Sequence, residues 1–322
     1  MIGKNVLVIG GAHMDRRGQF YQPSIAGASN PGRWIEEPGG GGFNAARNLS
    51  RLGHAVSIVS LRGGDADGET VAQVARAAGV SYCPITFLDR KTPSYTALLE
   101  PDGNLLVALA DMDLYALLSP RRVSSASMRK QITASDLVLV DANFAEATVA
   151  AIAELTRSAG KMLAAIAISP AKVVRLRTVL PALHWLFMNE AEARALTGQA
   201  PATFDDWPAI LRQMGLNGGV VTRGPEGALA FDADTQLTLV PPVLDGLRDV
   251  TGAGDALASG FLSGYLTGLS LSDCLKRGVA AAALTVRSPQ AVDDSLTPAA
   301  VADLATKLSH PSPAVATFKD PS

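Results

Sequence analysis

Val6-Leu7-Val8-Ile9, followed by Gly10-Gly11, is the stretch of sequence that decides the fold. A short run of aliphatic residues without polar alternation predicts a strand that is buried on both faces, which is typical of a parallel sheet. Segments with apolar residues at helical spacing separate this run from the others. The sequence therefore predicts an α/β fold, a doubly wound and mostly parallel sheet with helices on both faces. The similar runs are 56–59, 137–140, 162–168 and 220–221.

Two polar, turn-rich stretches interrupt the alternation of strands and helices. The first is rich in Gly and Pro, and the second alternates around the turn Pro101-Asp102-Gly103, which predicts a hairpin. We interpret both as a small discontinuous β-sheet lid over a site, with a decorative insertion as the alternative. The predicted segments are 1–15, 42–90 and 112–309 for the α/β core, 16–41 and 91–111 for the lid, and 310–322 for a frayed tail.

Composition excludes several classes of protein. The 322 residues carry 28 Lys and Arg against 30 Asp and Glu, a net charge of −2, which argues against a nucleic-acid partner. Cys83 and Cys274 are too few for a disulfide framework or a cysteine zinc site. The sequence contains no run of 18 apolar residues, so we expect no membrane span and a cytoplasmic protein.

The strongest local signal for chemistry is Thr251-Gly252-Ala253-Gly254-Asp255, which opens a predicted helix. Small residues at a helix start leave backbone N–H groups accessible, and these groups with the helix dipole form an anion site. Asp255 lies in the first turn, where we expect an ionised carboxylate that can accept a proton. A base beside an anion site fits phosphoryl transfer to an alcohol, whereas an ordinary acidic helix start is the alternative.

A second glycine-rich segment, Pro38-Gly39-Gly40-Gly41-Gly42-Phe43-Asn44, precedes another predicted helix. Its four glycines let a ligand approach the backbone closely. Asn44 either caps the helix or also hydrogen-bonds a hydroxyl-rich ligand. Asp15 follows the first strand, at the edge where open α/β sheets bind ligands. Its carboxylate can accept a hydrogen bond from each hydroxyl of a sugar diol. The alternative is that Asp15 simply forms a turn.

Two further segments follow predicted strands. Asn189 and Glu192 provide oxygen donors that can act on Mg²⁺ through water, or they simply start a helix. The segment 222–227 is a glycine turn between two strands. A P-loop motif is absent from the sequence, and Gly10-Gly11-Ala12-His13 lacks the glycine spacing of dinucleotide sites. The four histidines show no metal-ligand spacing.

The order and spacing of these segments resemble the ribokinase-like (PfkB) carbohydrate kinase family over nearly the whole chain. The segment 251–255 is similar to the C-terminal signature of that family, and 39–44 is similar to its N-terminal signature. Asn189-x-x-Glu192 resembles its magnesium motif, and 222–227 resembles its nucleotide-side turn. The resemblance implies ATP-dependent phosphorylation of a hydroxymethyl group with Mg²⁺, in a doubly wound fold with a β lid.

The resemblance also implies roles by position. Asp255 would be the base, with an anion hole at Gly252, Ala253 and Gly254. The sugar would be held by Asp15, Gly40, Gly42 and Asn44. The nucleotide side would comprise Asn189, Thr222, Gly224, Gly227 and Ala282. Glu192 would organise Mg²⁺ indirectly, and Asp249 falls near the loop that holds a monovalent cation, often K⁺, in the family. A homodimer through the lid is also implied.

The lid segments are expected to decide the acceptor. Segments 29–32, 94–99 and 107–112 resemble those of family members that phosphorylate the 5′-hydroxyl of pseudouridine, as does the D-x-N segment 141–143. A nucleobase edge needs hydrogen-bond partners, and the candidates are Asn30, Ser94, Thr96, Asp111 and Asp141. A kinase for another nucleoside or for a ribose- or fructose-type sugar is the alternative, and a non-catalytic nucleoside or sugar sensor is a third. Ile168-Ser169-Pro170 departs from the acidic D-P pair expected there.

Overall fold

The computed structural model describes residues 3–242, 246, 249–309 and 311–313. Of the predicted tail, 310–322, all but 311–313 lies outside the described residues, as do positions 1–2, 243–245 and 247–248 of the predicted core. The strands are β1 (Asn5–Ile9), β2 (His13–Phe20), β3 (Gly32–Gly39), β4 (Ala55–Val59), β5 (Leu61–Gly63), β6 (Ser81–Tyr82), β7 (Ile85–Phe87), β8 (Ser94–Leu99), β9 (Leu105–Asp111), β10 (Leu137–Asp141), β11 (Met162–Ile166), β12 (Trp185–Asn189), β13 (Gly219–Thr222), β14 (Ala228–Phe231), β15 (Gln236–Leu239) and β16 (Ser312–Pro313).

The α-helices are α1 (Gly41–Arg51), α2 (Ala66–Ala77), α3 (Pro120–Val123), α4 (Ala126–Ala134), α5 (Glu146–Ser158), α6 (Pro170–Val173), α7 (Glu190–Thr197), α8 (Trp207–Gln213), α9 (Ala253–Leu266), α10 (Leu271–Thr285) and α11 (Pro298–Lys307). Short 3-10 helices cover Asp113–Leu117, Val174–Ala182, Phe204–Asp206 and Gly224–Glu226.

Within the described ranges, ten strands form one sheet in the order β16-β15-β14-β13-β12-β11-β10-β1-β4-β6. The strands from β13 through β1 to β6 run parallel, and β14 to β16 add an antiparallel edge. The central strand β1 pairs with β10 on one side and β4 on the other, so its residues from Val6 to Ile9 are buried on both faces. The predicted doubly wound, mostly parallel sheet is confirmed.

Helices cover both faces of this sheet. One apolar core packs the sheet against α1, α2, α9, α10 and α11, and the other packs it against α3, α4, α5, α7 and α8. The helices α9 and α10 lie close together because small residues face each other: a Cβ at Gly260 would lie 2.5 Å from the Arg277 carbonyl oxygen. Gly268, with φ +78°, lies in the turn between these two helices.

A separate sheet lies over the carboxyl ends of the central strands, and the part of the chain described here gives it four strands in the order β3-β2-β8-β9. The expected hairpin is present as the antiparallel pair β8 and β9. Strand β2 begins at His13, so Asp15 lies in this sheet, and β2 pairs in parallel with β8 through Met14 and Ser94. We call this sheet the lid.

Candidate active site

The N-terminus of α9 faces open space beside a carboxylate. Gly252 has φ +78°, a left-handed conformation, and it packs against the carbonyl of Ala291 so closely that no Cβ fits. A Cβ at Gly254 would meet nothing within 4 Å, so this part of the first turn is open to a ligand. The N–H of Ala253, expected in the anion hole, instead donates to the Val250 carbonyl at 3.2 Å because the chain turns tightly there.

Asp255 projects from this turn and is held by Asn44 of α1. The Asn44 side-chain amide donates to Asp255 Oδ2 at 3.0 Å. Burial raises the pKa of Asp255 to about 7, the nearby carboxylates of Asp141, Glu192 and Asp15 add to that effect, and the Asn44 hydrogen bond opposes it. Burial therefore acts against the ionised form of Asp255 that the helix start predicts. The result is a carboxylate whose pKa suits a general base near neutral pH.

Each of the four consecutive glycines in 39–42 touches a different part of the site. A Cβ at Gly39 would overlap the Asp15 carboxylate, and a Cβ at Gly41 would overlap the Ile168 side chain. A Cβ at Gly40 would lie 2.8 Å from His13 Cε1, and one at Gly42 would lie 2.8 Å from Asp141 Oδ2.

These close contacts explain why all four positions are glycine, which a helix cap alone would not require. Gly40 additionally has φ +106°, which side chains rarely adopt.

A buried histidine contacts the carboxylate of Asp15. His13 Nε2 lies 3.3 Å from Asp15 Oδ1, and His13 Nδ1 lies 3.0 Å from the hydroxyl of Tyr115. His13 is 7% exposed and Tyr115 is 1% exposed, whereas Asp15 is half-buried and faces the site. The histidine and tyrosine therefore hold the Asp15 carboxylate in place without lying on the open surface themselves.

Asp141 lies beneath the site rather than on its surface. It is 1% exposed, and its Oδ2 accepts hydrogen bonds from the N–H groups of Gly11 (2.7 Å) and Gly42 (3.2 Å) and from the Asn143 amide (2.9 Å). The Lys172 ammonium donates to Asn143 Oδ1 at 2.6 Å, and burial lowers the pKa of Lys172. The structure thus places Asp141 where it orients the glycine loops, so direct contact with an acceptor stays a prediction.

Two of the predicted nucleotide-side residues meet where neighbouring strands of the sheet end. Asn189 and Thr222 are register partners at the ends of β12 and β13. Gly224 and Gly227 form the left-handed turn that follows β13. Ala282 is half-buried on α10, which packs against α9.

Glu192 is the candidate that would act on Mg²⁺. The Asn189 side chain accepts from the Glu192 N–H at 2.9 Å, and Glu192 Oε2 accepts from the Asn189 N–H at 2.8 Å. Burial raises the pKa of Glu192, which is 6% exposed. Among the residues that the structure describes, no three acidic, His or Cys side chains converge on a point. A single buried carboxylate that reaches the metal through water fits this arrangement.

The lid candidates lie in three places. Ser94 and Asp111 are register partners on β8 and β9, and Thr96 follows two residues later on β8. Asn30 lies in the loop before β3, where its amide oxygen accepts from the Ile25 N–H at 2.9 Å and its amide nitrogen donates to the Ile25 carbonyl at 3.0 Å. The structure brings Ser94 and Thr96 onto the strand beside β2 and leaves Asn30 engaged in its own loop.

Asp249 is occupied in a way that the sequence did not indicate. Its Oδ2 accepts from the Arg17 guanidinium at 2.7 Å, and its Oδ1 accepts from the Thr251 N–H at 2.8 Å. Both oxygens of this carboxylate therefore already have partners within the protein, and its part in holding a monovalent cation stays a prediction.

Sequence reasoning missed Ile168 as well as His13. Ile168 follows β11 and has φ +71°, an unusual conformation for a β-branched residue, and its side chain covers Gly41 beside Asp255. The predicted strand 162–168 therefore ends early, at Ile166. The only sequence signal was the departure from the expected acidic pair at this position.

Comparison with known proteins places this geometry in context. A family model described as pfkB family carbohydrate kinase matches residues 4–298. The pseudouridine kinase of Escherichia coli (strain K12) is 29% identical over 275 residues, 84% of this chain and 87% of that protein. The ribokinase of Lactococcus lactis subsp. lactis (strain IL1403) is 28% identical over 285 residues, 88% and 90% of the two chains.

Among solved structures, a carbohydrate kinase from Agrobacterium tumefaciens matches with a TM-score of 0.87 and 54% identity, over 96% of this chain and 99% of that one. Within the part of the chain that the structure describes, every helix is too short or too polar to cross a bilayer.

Proposed function

This chain belongs to the pfkB family of carbohydrate kinases and is an ATP-dependent kinase of carbohydrates or nucleosides; on that premise we propose that its acceptor is pseudouridine and that Asp255 is the general base. The observation that carries the mechanism is the half-buried Asp255 carboxylate, fixed by Asn44 at the open N-terminus of α9. The product would be pseudouridine 5′-phosphate.

The proposed reaction is an in-line displacement at the γ-phosphorus of ATP. The ribose 5′-oxygen forms a bond to phosphorus as its proton passes to Asp255, and the bond to the bridging oxygen of ADP breaks. The pKa of about 7 lets Asp255 accept this proton at neutral pH. Asp15, Gly40, Gly42 and Asn44 would hold the ribose so that the 5′-hydroxyl reaches Asp255.

The phosphate side of the proposed site is built from backbone groups. The backbone of Gly252 and Gly254 in the first turn of α9 would stabilise the charge on the transferred group, because helix N-termini attract anions. The Ala253 N–H, which donates to the Val250 carbonyl, would have to exchange that bond to take part. Bound Mg²⁺ would supply charge neutralisation at the phosphates, with Glu192 reaching it through water. The nucleotide would lie against Asn189, Thr222, Gly224, Gly227 and Ala282.

The acceptor is the finer part of the proposal. Recognition of the base edge of pseudouridine by Ser94, Thr96, Asp111 and Asn30 stays a prediction, because the first three share the lid face of Arg16, opposite to Asp15. Asn30 is bonded within its own loop. The similarity to the E. coli pseudouridine kinase supports pseudouridine as the acceptor, and the similarity to the L. lactis ribokinase supports a free sugar as the second candidate. The two acceptors differ in the base, so recognition of the base by the lid distinguishes them.

We also propose that the lid forms the contact between two copies in a homodimer. Strand β9 is an edge of the lid sheet, and Leu105, Val107 and Leu109 are 56%, 54% and 69% exposed. An exposed apolar edge strand favours pairing with another strand. Replacement of Leu109 by Asp is expected to convert the dimer to a monomer in sedimentation analysis, and a monomeric parent protein would contradict the proposal.

A coupled ADP-release assay tests the acceptor. With Mg·ATP, pseudouridine, uridine, adenosine, ribose and fructose are compared by kcat/KM. Pseudouridine is expected to be the best acceptor. A better rate with ribose or adenosine would overturn the acceptor but keep the Asp255 mechanism. Binding of pseudouridine in calorimetry without any turnover would favour a sensor instead.

A further inference from the structure

Arg17 connects the lid to the loop that opens α9. It lies on β2, and its Nη1 donates to Asp249 Oδ2 at 2.7 Å while its Nη2 donates to Glu37 Oε1 of β3 at 2.5 Å. The side chain of Arg17 is 22% exposed, that of Asp249 is 22% exposed and that of Glu37 is 25% exposed. Water therefore screens this contact less than an ion pair on the open surface.

Asp249 also contacts the backbone just before the proposed anion site. Its second oxygen accepts the N–H of Thr251, the residue that precedes Gly252. Burial acts to raise the pKa of Asp249, but the hydrogen bonds from Thr251 and Arg17 outweigh it and hold that pKa below its usual range. The Asp249 carboxylate therefore remains charged and bonded at neutral pH.

Arg17 shares its face of β2 with Asp15, because residues two apart on a strand point the same way. Strand β2 therefore carries both Asp15, which is proposed to bind the acceptor, and Arg17, which bonds to Asp249 in the 249–251 loop. A guanidinium suits this position, since its planar fork can bond two carboxylates at once and it keeps its charge at any physiological pH.

We propose that Arg17 is a positioning residue that couples the lid to the anion site through Asp249, and that its guanidinium is the resident cation of this loop. The inference rests on the proposed function, because it takes the turn at 252–254 as the phosphate site. It departs from the monovalent cation that the family resemblance implied at Asp249. Acceptor and phosphoryl group are then aligned by one ion pair that exists only while the lid is in contact with the core.

A double-mutant cycle on Arg17 and Asp249 tests the coupling. In Arg17→Met and Asp249→Asn, kcat with the best acceptor of the panel is expected to fall about tenfold, because alignment of the reacting groups is lost. The double variant should fall no further than either single variant, because both remove the same interaction. Arg17→Lys should recover only part of the loss. Effects of the two single variants that multiply would overturn the proposal.

Arg16 provides a matched control on the opposite face of β2. It also joins the lid to the core, with Nε 2.7 Å from Glu36 Oε1 and Nη2 2.6 Å from Asp67 Oδ2 of α2, but it does not reach the anion site. Arg16→Met is expected to lower Tm about as much as Arg17→Met while kcat changes less than about twofold. Equal losses of kcat in both variants would show that Arg17 serves only to tether the lid.

The assignment of the Arg17 guanidinium as the cation of this loop is tested by exchanging salts at constant ionic strength. Replacing tetramethylammonium chloride by KCl should leave both the kcat and the Tm of the parent protein unchanged. A rise specific to potassium in either quantity would overturn the assignment of the guanidinium as the cation of this loop.

Failure of the proposed function appears separately, as full turnover in Asp255→Asn. If no acceptor of the panel supports turnover, the same double-mutant cycle is read as affinity for the Mg complex of a non-hydrolysable ATP analogue, measured by calorimetry. Non-additive losses of affinity support the coupling there, and additive losses refute it.

Discussion

The side-chain amide of Asn44, at the start of α1, donates a 3.0 Å hydrogen bond to the carboxylate of Asp255, at the start of α9 and 211 residues further along the chain. Two helix N-termini thereby meet at one carboxyl group. Asn44 favours the ionised form of Asp255, whereas burial and three neighbouring carboxylates favour the protonated form. The balance between these two effects sets the pKa of Asp255, and with it the pH range in which the carboxylate can act as a base.

Removal of the base should abolish most of the activity. Asp255→Asn keeps the size and the hydrogen bond to Asn44 but cannot accept a proton. We expect kcat to fall by about 10²–10⁴-fold, the usual contribution of a general base, with little change in either KM. Steady-state kinetics with Mg·ATP and the best acceptor measure this. An unchanged kcat would remove Asp255 from the mechanism.

The pH profile of kcat should report the pKa of Asp255. The rate should fall as the pH drops through about 7, because the protonated carboxyl cannot act as a base. In Asn44→Ala the hydrogen bond that lowers this pKa is lost, so the acid limb should move to higher pH. Asn48→Ala, one turn along α1 and also buried, is the control that perturbs packing without touching Asp255. An identical shift in both variants would refute the assignment.

The same pKa predicts how the stability depends on pH. Because the folded pKa of Asp255 is above its ordinary value, its favourable contribution is full below pH 4 and is lost as the pH rises through about 7. Asp255→Asn should therefore raise Tm at pH 8 and change it less at pH 5. Asp249→Asn should have the opposite sign at pH 8, since the Asp249 pKa is lowered on folding. Calorimetric melts at the two pH values check both signs.

His13 should affect the acceptor and spare the nucleotide. His13→Phe removes the 3.3 Å contact with the Asp15 carboxylate, and we expect the acceptor KM to rise about tenfold, the effect of losing one polar contact to a charged group. The KM for ATP should stay within about twofold. Tyr115→Phe removes the hydrogen bond between the tyrosine hydroxyl and His13 but keeps the contact of His13 with Asp15, so it should have a smaller effect. Equal increases in both KM values would indicate general disruption of the site.

Gly41 offers a rescue experiment. An alanine at this position would overlap the Ile168 side chain and place its Cβ 3.2 Å from Asp255 Oδ1, so Gly41→Ala should lower kcat by tenfold or more, about the effect of a small misalignment. Adding Ile168→Ala removes the overlap and should restore part of the rate. Ile168→Ala alone is the control. The prediction is wrong if the double variant is no faster than Gly41→Ala.

The sequence was sufficient for the architecture because each core element carries its own pattern. The apolar run at Val6 predicted a strand with neighbours on both sides, and the turn at Pro101 predicted the hairpin of β8 and β9. Asp255 and Asn44 were found for the same reason, since both begin helices after glycines. Local patterns of this kind do not depend on distant parts of the chain.

Contacts between distant segments were not predictable. The pKa of Asp255 depends on carboxylates supplied by β2, β10 and α7, and no local pattern encodes their convergence. The pairing of Arg17 with Asp249 spans 232 positions, and that of His13 with Tyr115 spans 102. The conformation of Ile168 is imposed by the packing around it, against the intrinsic preference of a β-branched residue.

The parallel pairing of β2 with β8 has a consequence for protein engineering. The lid is assembled from two stretches of chain, 13–39 and 94–111, which alternate with the core and hydrogen-bond to each other from Met14 to Gln19. A chimera that imports only one stretch from a relative would join mismatched strands along this seam. Exchanging acceptor preference between relatives therefore requires both stretches to be transplanted together, along with the partner of Arg17 at position 249.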